Sequence, residues 1–291
     1  MAKLSLGTAQ FGLDYGVSNT RGQISLKDAD AILQLAKTRG IDILDTAPAY
    51  GTSEQVLGEL KAAASFKLIS KTPQFRRDEI LADDAAQVRR SIESSLEKLG
   101  TESLYGVLVH WPGDLLARGG DLLWNTLSAA RSEGLVKSIG VSVYDPAELA
   151  TLMDRYPIDV MQAPMNVLDQ RMQTSGALDV ARAKGVSNHI RSAFLQGLLL
   201  MDQSAVPQAR QAARPYIEAF RAAAERAGVG PLVASLAFIT QNDNVETVVC
   251  GVTSAAELEE ITDALALAGS VEIDFDGLSC NDASIIDPRM W

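Results

Sequence analysis

Residues 67–110 read KLISKTPQFRRDEILADDAAQVRRSIESSLEKLGTESLYGVLVH, and their pattern decides the architecture. The stretch opens on a short aliphatic run, Lys67 to Ser70, and closes on another, Leu104 to Val109. Between them, Asp83 to Leu99 sets Val88, Ile92, Leu96 and Leu99 at spacings of four, four and three. That is one face of an amphipathic α-helix, with charged residues around much of the rest. Gly100 follows as a left-handed cap leading into the next strand. Strand, helix, glycine, strand is one βαβ unit.

The same pattern extends in both directions. Aliphatic runs at Leu4 to Leu6, Asp42 to Leu44, Ser138 to Val141, Val160 to Ala163, His189 to Ala193 and Val245 to Cys250 bring the candidate strands to eight. Helical stretches are predicted at Lys27 to Thr38, Ser53 to Lys61, Leu122 to Ser132, Pro146 to Asp154, Ser175 to Lys184 and Ala255 to Leu267, with an additional helix over Arg214 to Ala227. Gly40, Gly134 and Gly185 close three of them. No linker, internal repeat or low-complexity segment interrupts the series, so the prediction is an α/β fold, a single (β/α)8 TIM barrel over residues 1–291. The first strand leads into Gly7-Thr8-Ala9-Gln10-Phe11-Gly12, which lacks the G-x-G-x-x-G turn of a Rossmann half.

Composition limits the partners. The 291 residues are 47% hydrophobic and 22% charged, the profile of an ordinary globular chain. A net charge of −11 argues against dedicated nucleic-acid binding and against attachment to anionic membranes. Cys250 and Cys280 fit neither a metal spacing nor a disulfide framework. With no signal-like segment and no run approaching about eighteen apolar residues, a cytoplasmic location is expected. Subunit number carries no sequence signal.

In such a barrel the reacting groups sit where strands end. Asp45, Lys71 and His110 follow strands two, three and four, so they converge on one side of the mouth, and Tyr50 lies on the loop five residues beyond Asp45. These residue types suit proton transfer better than metal binding. A phenol titrates near ~10, and a close ammonium favours its phenolate. Lys71 is expected to supply that charge, Asp45 to hold the ammonium, Tyr50 to give a proton to a developing alkoxide, and His110 to orient the carbonyl oxygen. Taken alone, Asp45 and Lys71 equally suit a structural ion pair.

Several segments in this order resemble the aldo-keto reductase superfamily: Leu-Gly-Thr-Ala-Gln at 6–10, Ile-Leu-Asp-Thr-Ala-Pro-Ala-Tyr-Gly at 43–51, Ile-Ser-Lys at 69–71, Val-Leu-Val-His at 107–110 and Lys-Ser-Ile-Gly-Val-Ser at 137–142. The opening Leu-Gly-Thr-Ala-Gln-Phe-Gly-Leu-Asp-Tyr-Gly, the Arg-Ser-Ala-Phe-Leu-Gln-Gly-Leu-Leu at 191–199 and the closing Ile-Asp-Pro-Arg-Met-Trp resemble a bacterial subgroup. The resemblance implies a catalytic tetrad of Asp45, Tyr50, Lys71 and His110, with hydride exchanged between NAD(H) or NADP(H) and the carbonyl or alcohol of a small aldehyde, ketone or sugar. It further implies Gly7 and Thr8 beneath the nicotinamide and Ser142 and Gln162 on the carboxamide. Ser192 to Gly197, including Phe194 and Gln196, would wrap the diphosphate. Gly251, Thr253, Ser254 and Glu257 would meet the adenosine end.

The chain departs from the family pattern at four places. Val143 replaces an Asn that follows the Ser of strand five. Arg191 stands where many members stack a Tyr, and its guanidinium suits the diphosphate or an anionic substrate. Thr253 and Ile261 replace the Arg and Asn that hold the 2′-phosphate and adenine in NADP-binding members, which leaves NADPH and NADH both open. Ser254 and Glu257 form a capping box at the start of the last helix. Phe11, Tyr15 and Trp111 are each read as a substrate-pocket wall or as packing, His189 as a strand-edge or satisfied core histidine, and Cys250 as a small buried residue. The tail from Val271 to Trp291 either drapes over the mouth or anchors a surface segment. The competing functions are a cofactor-binding regulatory protein with vestigial catalysis, motivated by the four departures, and a metal-dependent sugar isomerase, for which Asp45 and His110 beside a lysine make a poor cage.

Overall fold

The computed structural model describes residues 2–291. Eight strands, β1 (Lys3–Gly7), β2 (Ile43–Asp45), β3 (Lys67–Lys71), β4 (Leu104–Val109), β5 (Val136–Ser142), β6 (Val160–Pro164), β7 (Ser187–Arg191) and β8 (Thr247–Gly251), follow one another around a closed barrel. All pairs are parallel, and β8 closes on β1 with Leu6 opposite Cys250 and Gly7 opposite Gly251. Helices between the strands form the outer layer, as the sequence predicts.

The helix ends follow local chemistry. Ser25, Asp145 and Ser254 each accept a backbone N–H in the first turn of the helix they open. Gly40, Gly100, Gly134 and Gly185 all take the left-handed conformation expected of them. The strand seven expectation needs correction. Ser192 adopts a φ of 59°, outside the extended region, so β7 ends at Arg191 and begins at Ser187 rather than His189. The helix Pro231–Thr240 escaped the periodicity reading because Ala234 to Ile239 are all buried. A helix apolar on every side has no stripe to detect.

Alternation along the strands sets up the site. Ile43, Ile69, Leu108, Gly140 and Val160 share one face of β2 to β6, and Ile69, Leu108 and Val160 make a small buried cluster apart from the main core. Two residues further along each chain, on the same face, come Asp45, Lys71, His110, Ser142 and Gln162. The barrel centre thus changes from aliphatic to polar within one pleat. Among the described residues, no single helix is long and apolar enough to cross a membrane.

Candidate active site

Lys71 and Asp45 form the centre of the polar layer. Lys71 Nζ donates to Asp45 Oδ2 at 2.7 Å and to the Thr46 carbonyl at 3.0 Å. Gln162 Nε2 donates to Asp45 Oδ1 at 2.7 Å, so both carboxylate oxygens are held. The two charged side chains are only 1% and 6% exposed. Tyr50 packs its ring 4.9 Å from Lys71 Nζ and stands edge-on to His110, with ring centres 6.3 Å apart. The Tyr50 turn is fixed by a backbone approach that only glycine permits: a Cβ on Gly12 would lie 1.9 Å from the Tyr50 carbonyl oxygen.

Burial dominates the protonation states. It raises the Tyr50 phenol well above its ordinary range, Asp45 adds to the rise, and Arg191 opposes it. The expected depression by Lys71 is therefore replaced by a phenol held in its protonated form, and the guanidinium of Arg191 is the cation that counters burial. Burial also lowers the Lys71 ammonium, with Asp45 pulling the other way. The His110 imidazole falls to about 3 through burial, then Lys71, Arg191 and Arg76. It is a neutral ring at ordinary pH, and its buried Nδ1 has no protein partner.

A cavity of about 410 Å³ opens beside this group, between the loops after β7, β8 and β1. Asp45 and Tyr50 reach its wall. Of the residues expected on the cofactor, Gly7, Arg191, Ser192, Phe194, Gln196 and Gly197 line it, and so do Gly251, Thr253 and Glu257. Tyr15 lines it too. Thr8 does not: its hydroxyl donates to the Asp45 carbonyl and accepts from Ser53, tying β1 to β2. Ser142 and Gln162 lie in the polar layer away from the cavity wall, and the Gln162 amide is engaged with Asp45. Phe11 is completely buried in the core, which makes packing its role instead of a pocket wall. Trp111 sits outside the cavity with the Arg76 guanidinium 4.4 Å from its ring centre.

The start of the last helix differs in detail from the expected capping box. Ser254 Oγ accepts from Glu257 N–H at 3.2 Å, but the Glu257 carboxylate reaches one residue further back, accepting from the Thr253 N–H and hydroxyl, each at 2.7 Å. Glu259 pairs with Arg39, which caps the C-terminal end of the helix Leu26–Thr38. Of the three neighbouring acids, Glu257 and Glu260 border the cavity. His189 is buried, as a core histidine, yet its Nδ1 is unpartnered and burial lowers it to about 4. Burial likewise pushes the Cys250 thiol up to about 12. The tail, 271–291, contributes no residue to the cavity wall. Ile285 and Ile286 are buried anchors, and Arg289 reaches the mouth over Trp111 and Tyr144.

Sequence reasoning gave no role to Gln10, Ser18, Asn19, Thr20 or Arg21, all on the cavity wall. Gln10 belongs to a quoted strand-end motif, which was the available signal. Arg21 sits in an aperiodic loop that offers none. Gln10 Oε1 is buried without a partner, and a Cβ on Gly251 would come within 2.5 Å of it. A donor-hungry amide beside a bare backbone, Arg191 and a run of left-handed residues at Ser192, Leu195 and Gln196 suits an extended polar ligand carrying negative charge. A nicotinamide dinucleotide fits that description.

Comparisons with known proteins bear on the family and the fold. The model of the Aldo/keto reductase family matches residues 3–272. Aldo-keto reductase YhdN of Bacillus subtilis is 26% identical over 206 residues, 68% of this chain and 60% of that protein. The chain spans about half to three fifths of the first curated relatives it matches. L-galactose dehydrogenase of Arabidopsis thaliana is 28% identical over 282 residues, 92% of this chain and 86% of that one. The solved holo form of an aldo-keto reductase from Bacillus halodurans superposes with a TM-score of 0.74 at 17% identity, covering 99% of this chain and 95% of that chain, a likeness of fold.

Proposed function

This chain belongs to the aldo/keto reductase family, and within it we propose an NAD(P)(H)-dependent oxidoreductase that reduces the carbonyl of a small aldehyde, ketone or sugar. The observation that carries the reading is the convergence of Tyr50, Lys71, Asp45 and His110 beside the cavity, with the ion pair at 2.7 Å beneath the phenol. The match to a sugar dehydrogenase over most of both chains supports a sugar-like substrate.

The bound nicotinamide would supply the hydride. Gly7 and Gln10 would lie on its side of the cavity, Arg191 with Ser192 to Gly197 would hold its anionic diphosphate, and Gly251 with Thr253 and Glu257 would meet the adenosine end. Tyr50, kept protonated by burial, gives its proton to the carbonyl oxygen as negative charge develops there. Lys71 steadies the phenolate left behind through its charge, and Asp45 fixes the ammonium while Gln162 fixes Asp45. The neutral His110 ring orients the same oxygen by a hydrogen bond. The dry walls around Lys71 strengthen each of these interactions.

Tyr50→Phe should lower kcat by roughly 10²- to 10⁴-fold while leaving nucleotide affinity unchanged. Full turnover in that variant would refute the proton-donor role. Fluorescence titration with NADH and NADPH tests the cofactor and reads its preference, and binding of neither would overturn the reading. Binding without turnover on a broad aldehyde and sugar panel would favour the regulatory alternative.

A further inference from the structure

From the cavity wall outward around the mouth, guanidinium groups and aromatic rings alternate. Arg191 lies 4.0 Å from the Tyr144 ring centre, Arg289 lies 3.7 Å from Tyr144 and 5.7 Å from Trp111, and Arg76 lies 4.4 Å from Trp111. The row comes from the loops after β3, β4 and β5, the end of β7 and the tail. It runs from Arg191 on the cavity wall to Arg76 on the loop after β3. Three cations held this close repel one another, and the rings between them offset part of that cost.

The charges are not equally answered. Arg289 is neutralised by Asp287, which accepts from both Nε and Nη2. Arg76 donates only to the neutral Gln74 Oε1, at 3.0 and 2.7 Å. Arg191 makes only long contacts, 3.5 Å to Ser192 Oγ and 3.4 Å to the Val143 carbonyl. Arg191 borders the proposed diphosphate site, whereas Arg76, exposed on the loop after β3, lies outside the cavity.

Arg76 is held in place at a conformational cost. Its φ of 54° is left-handed, a region that non-glycine residues occupy rarely. The fully buried Asp114 secures it, accepting the Phe75 N–H at 2.9 Å and the Arg76 N–H at 2.8 Å. A buried carboxylate from the segment after β4 thus pins the loop after β3, and the result is a guanidinium held over the ring of Trp111, the residue after His110. With Nε and Nη2 on Gln74 Oε1, Nη1 is left to meet an oxoanion.

We infer that the carbonyl substrate carries an anionic group, a carboxylate or a phosphate, and that Arg76 is its anchor, with Trp111 as the platform. This rests on the proposed function and names the substrate class for the same site. The chain is acidic overall, so an anion reaches the mouth only through a local field of this kind.

The test uses matched pairs, glucuronate with glucose and glyceraldehyde 3-phosphate with glyceraldehyde, in the wild type and in Arg76→Asn, a residue that tolerates the left-handed backbone. The wild type should favour the anionic member of at least one pair, and the pair it favours distinguishes carboxylate from phosphate. Arg76→Asn should raise KM for that member roughly tenfold to a hundredfold, with kcat and the neutral partner unchanged. Equal use of neutral and anionic members, or an unchanged KM in the variant, overturns the inference while the reductase reading stands. If no pair is turned over, calorimetry with gluconate against sorbitol and glycerol 3-phosphate against glycerol decides. Anion binding lost in Arg76→Asn supports the anchor, with the reductase reading decided separately by the cofactor titration and the broad panel, and no anion-selective binding overturns the inference.

Discussion

Asp45→Asn tests the buried pair most directly. Asparagine preserves shape but removes the charge, leaving the Lys71 ammonium, 1% exposed, with the Thr46 carbonyl and neutral amides. Removing one partner of a buried pair costs about 3–5 kcal/mol. Burial already lowers Lys71, and Asp45 is the largest influence resisting it. Without Asp45 the lysine falls further, so the folded variant sheds a proton that the unfolded chain retains until near ~10.4. Between those two values the unfolded state binds more protons and stability rises with pH. The deficit against the wild type should therefore narrow by up to about 1.4 kcal/mol per pH unit. Urea denaturation at pH 7, 8 and 9 measures it, and Asp45→Asn combined with Lys71→Met should recover most of the loss. A cost below about 1 kcal/mol, the range of an exposed pair, with no dependence on pH would refute the reasoning.

The two buried histidines make the opposite end of the pH scale informative. With His110 near 3 and His189 near 4, each contributes stability that is full above the unfolded value near ~6.5 and is lost as pH falls, at up to about 1.4 kcal/mol per unit. Melts between pH 7 and 5 on the wild type, His110→Asn and His189→Asn should show this slope reduced in each variant, and an unchanged slope would contradict it. Phe11→Ala should cost about 3–5 kcal/mol by denaturation while leaving substrate selectivity intact. A selective change in KM would return Phe11 to the pocket wall. Glu257→Ala should weaken the last helix by about 1 kcal/mol and shift the ratio of NADPH to NADH affinity toward NADPH. A constant ratio in paired titrations would show that this carboxylate is not felt at the nucleotide.

Much of the barrel was legible because its outer helices are amphipathic and its strands end in recognisable polar residues. Asp45, Lys71 and His110 could be placed on one side of the mouth because they terminate consecutive strands. What remained hidden was set by features that leave no period. The helix Pro231–Thr240 is apolar all round, and β7 stops where Ser192 turns left-handed, a backbone event with no glycine to announce it. Side-chain partnerships were equally invisible. Nothing in the spacing says that Gln162 is taken up by Asp45, that Thr8 ties two strands together, or that Glu257 turns back to Thr253. The Tyr50 environment reversed in sign because burial, a property of the assembled mouth, outweighs a neighbouring cation.

The seam between β1 and β8 has a consequence for how the molecule is made. Lys3 pairs with Thr247 and Gly7 with Gly251, so the first strand acquires its second neighbour only when the eighth strand has been made. Until then the growing sheet is an open arc, with one edge of β1 exposed to chance pairing. Tyr50, Lys71 and His110 all belong to the early part of that arc, whereas the loop after β8 is among the last pieces to arrive. Gly7 and Gly251, paired across the seam, both border the cavity, so closing the ring also completes the cavity wall, whereas Tyr50, Lys71 and His110 lie at or after the ends of strands already paired in the open arc.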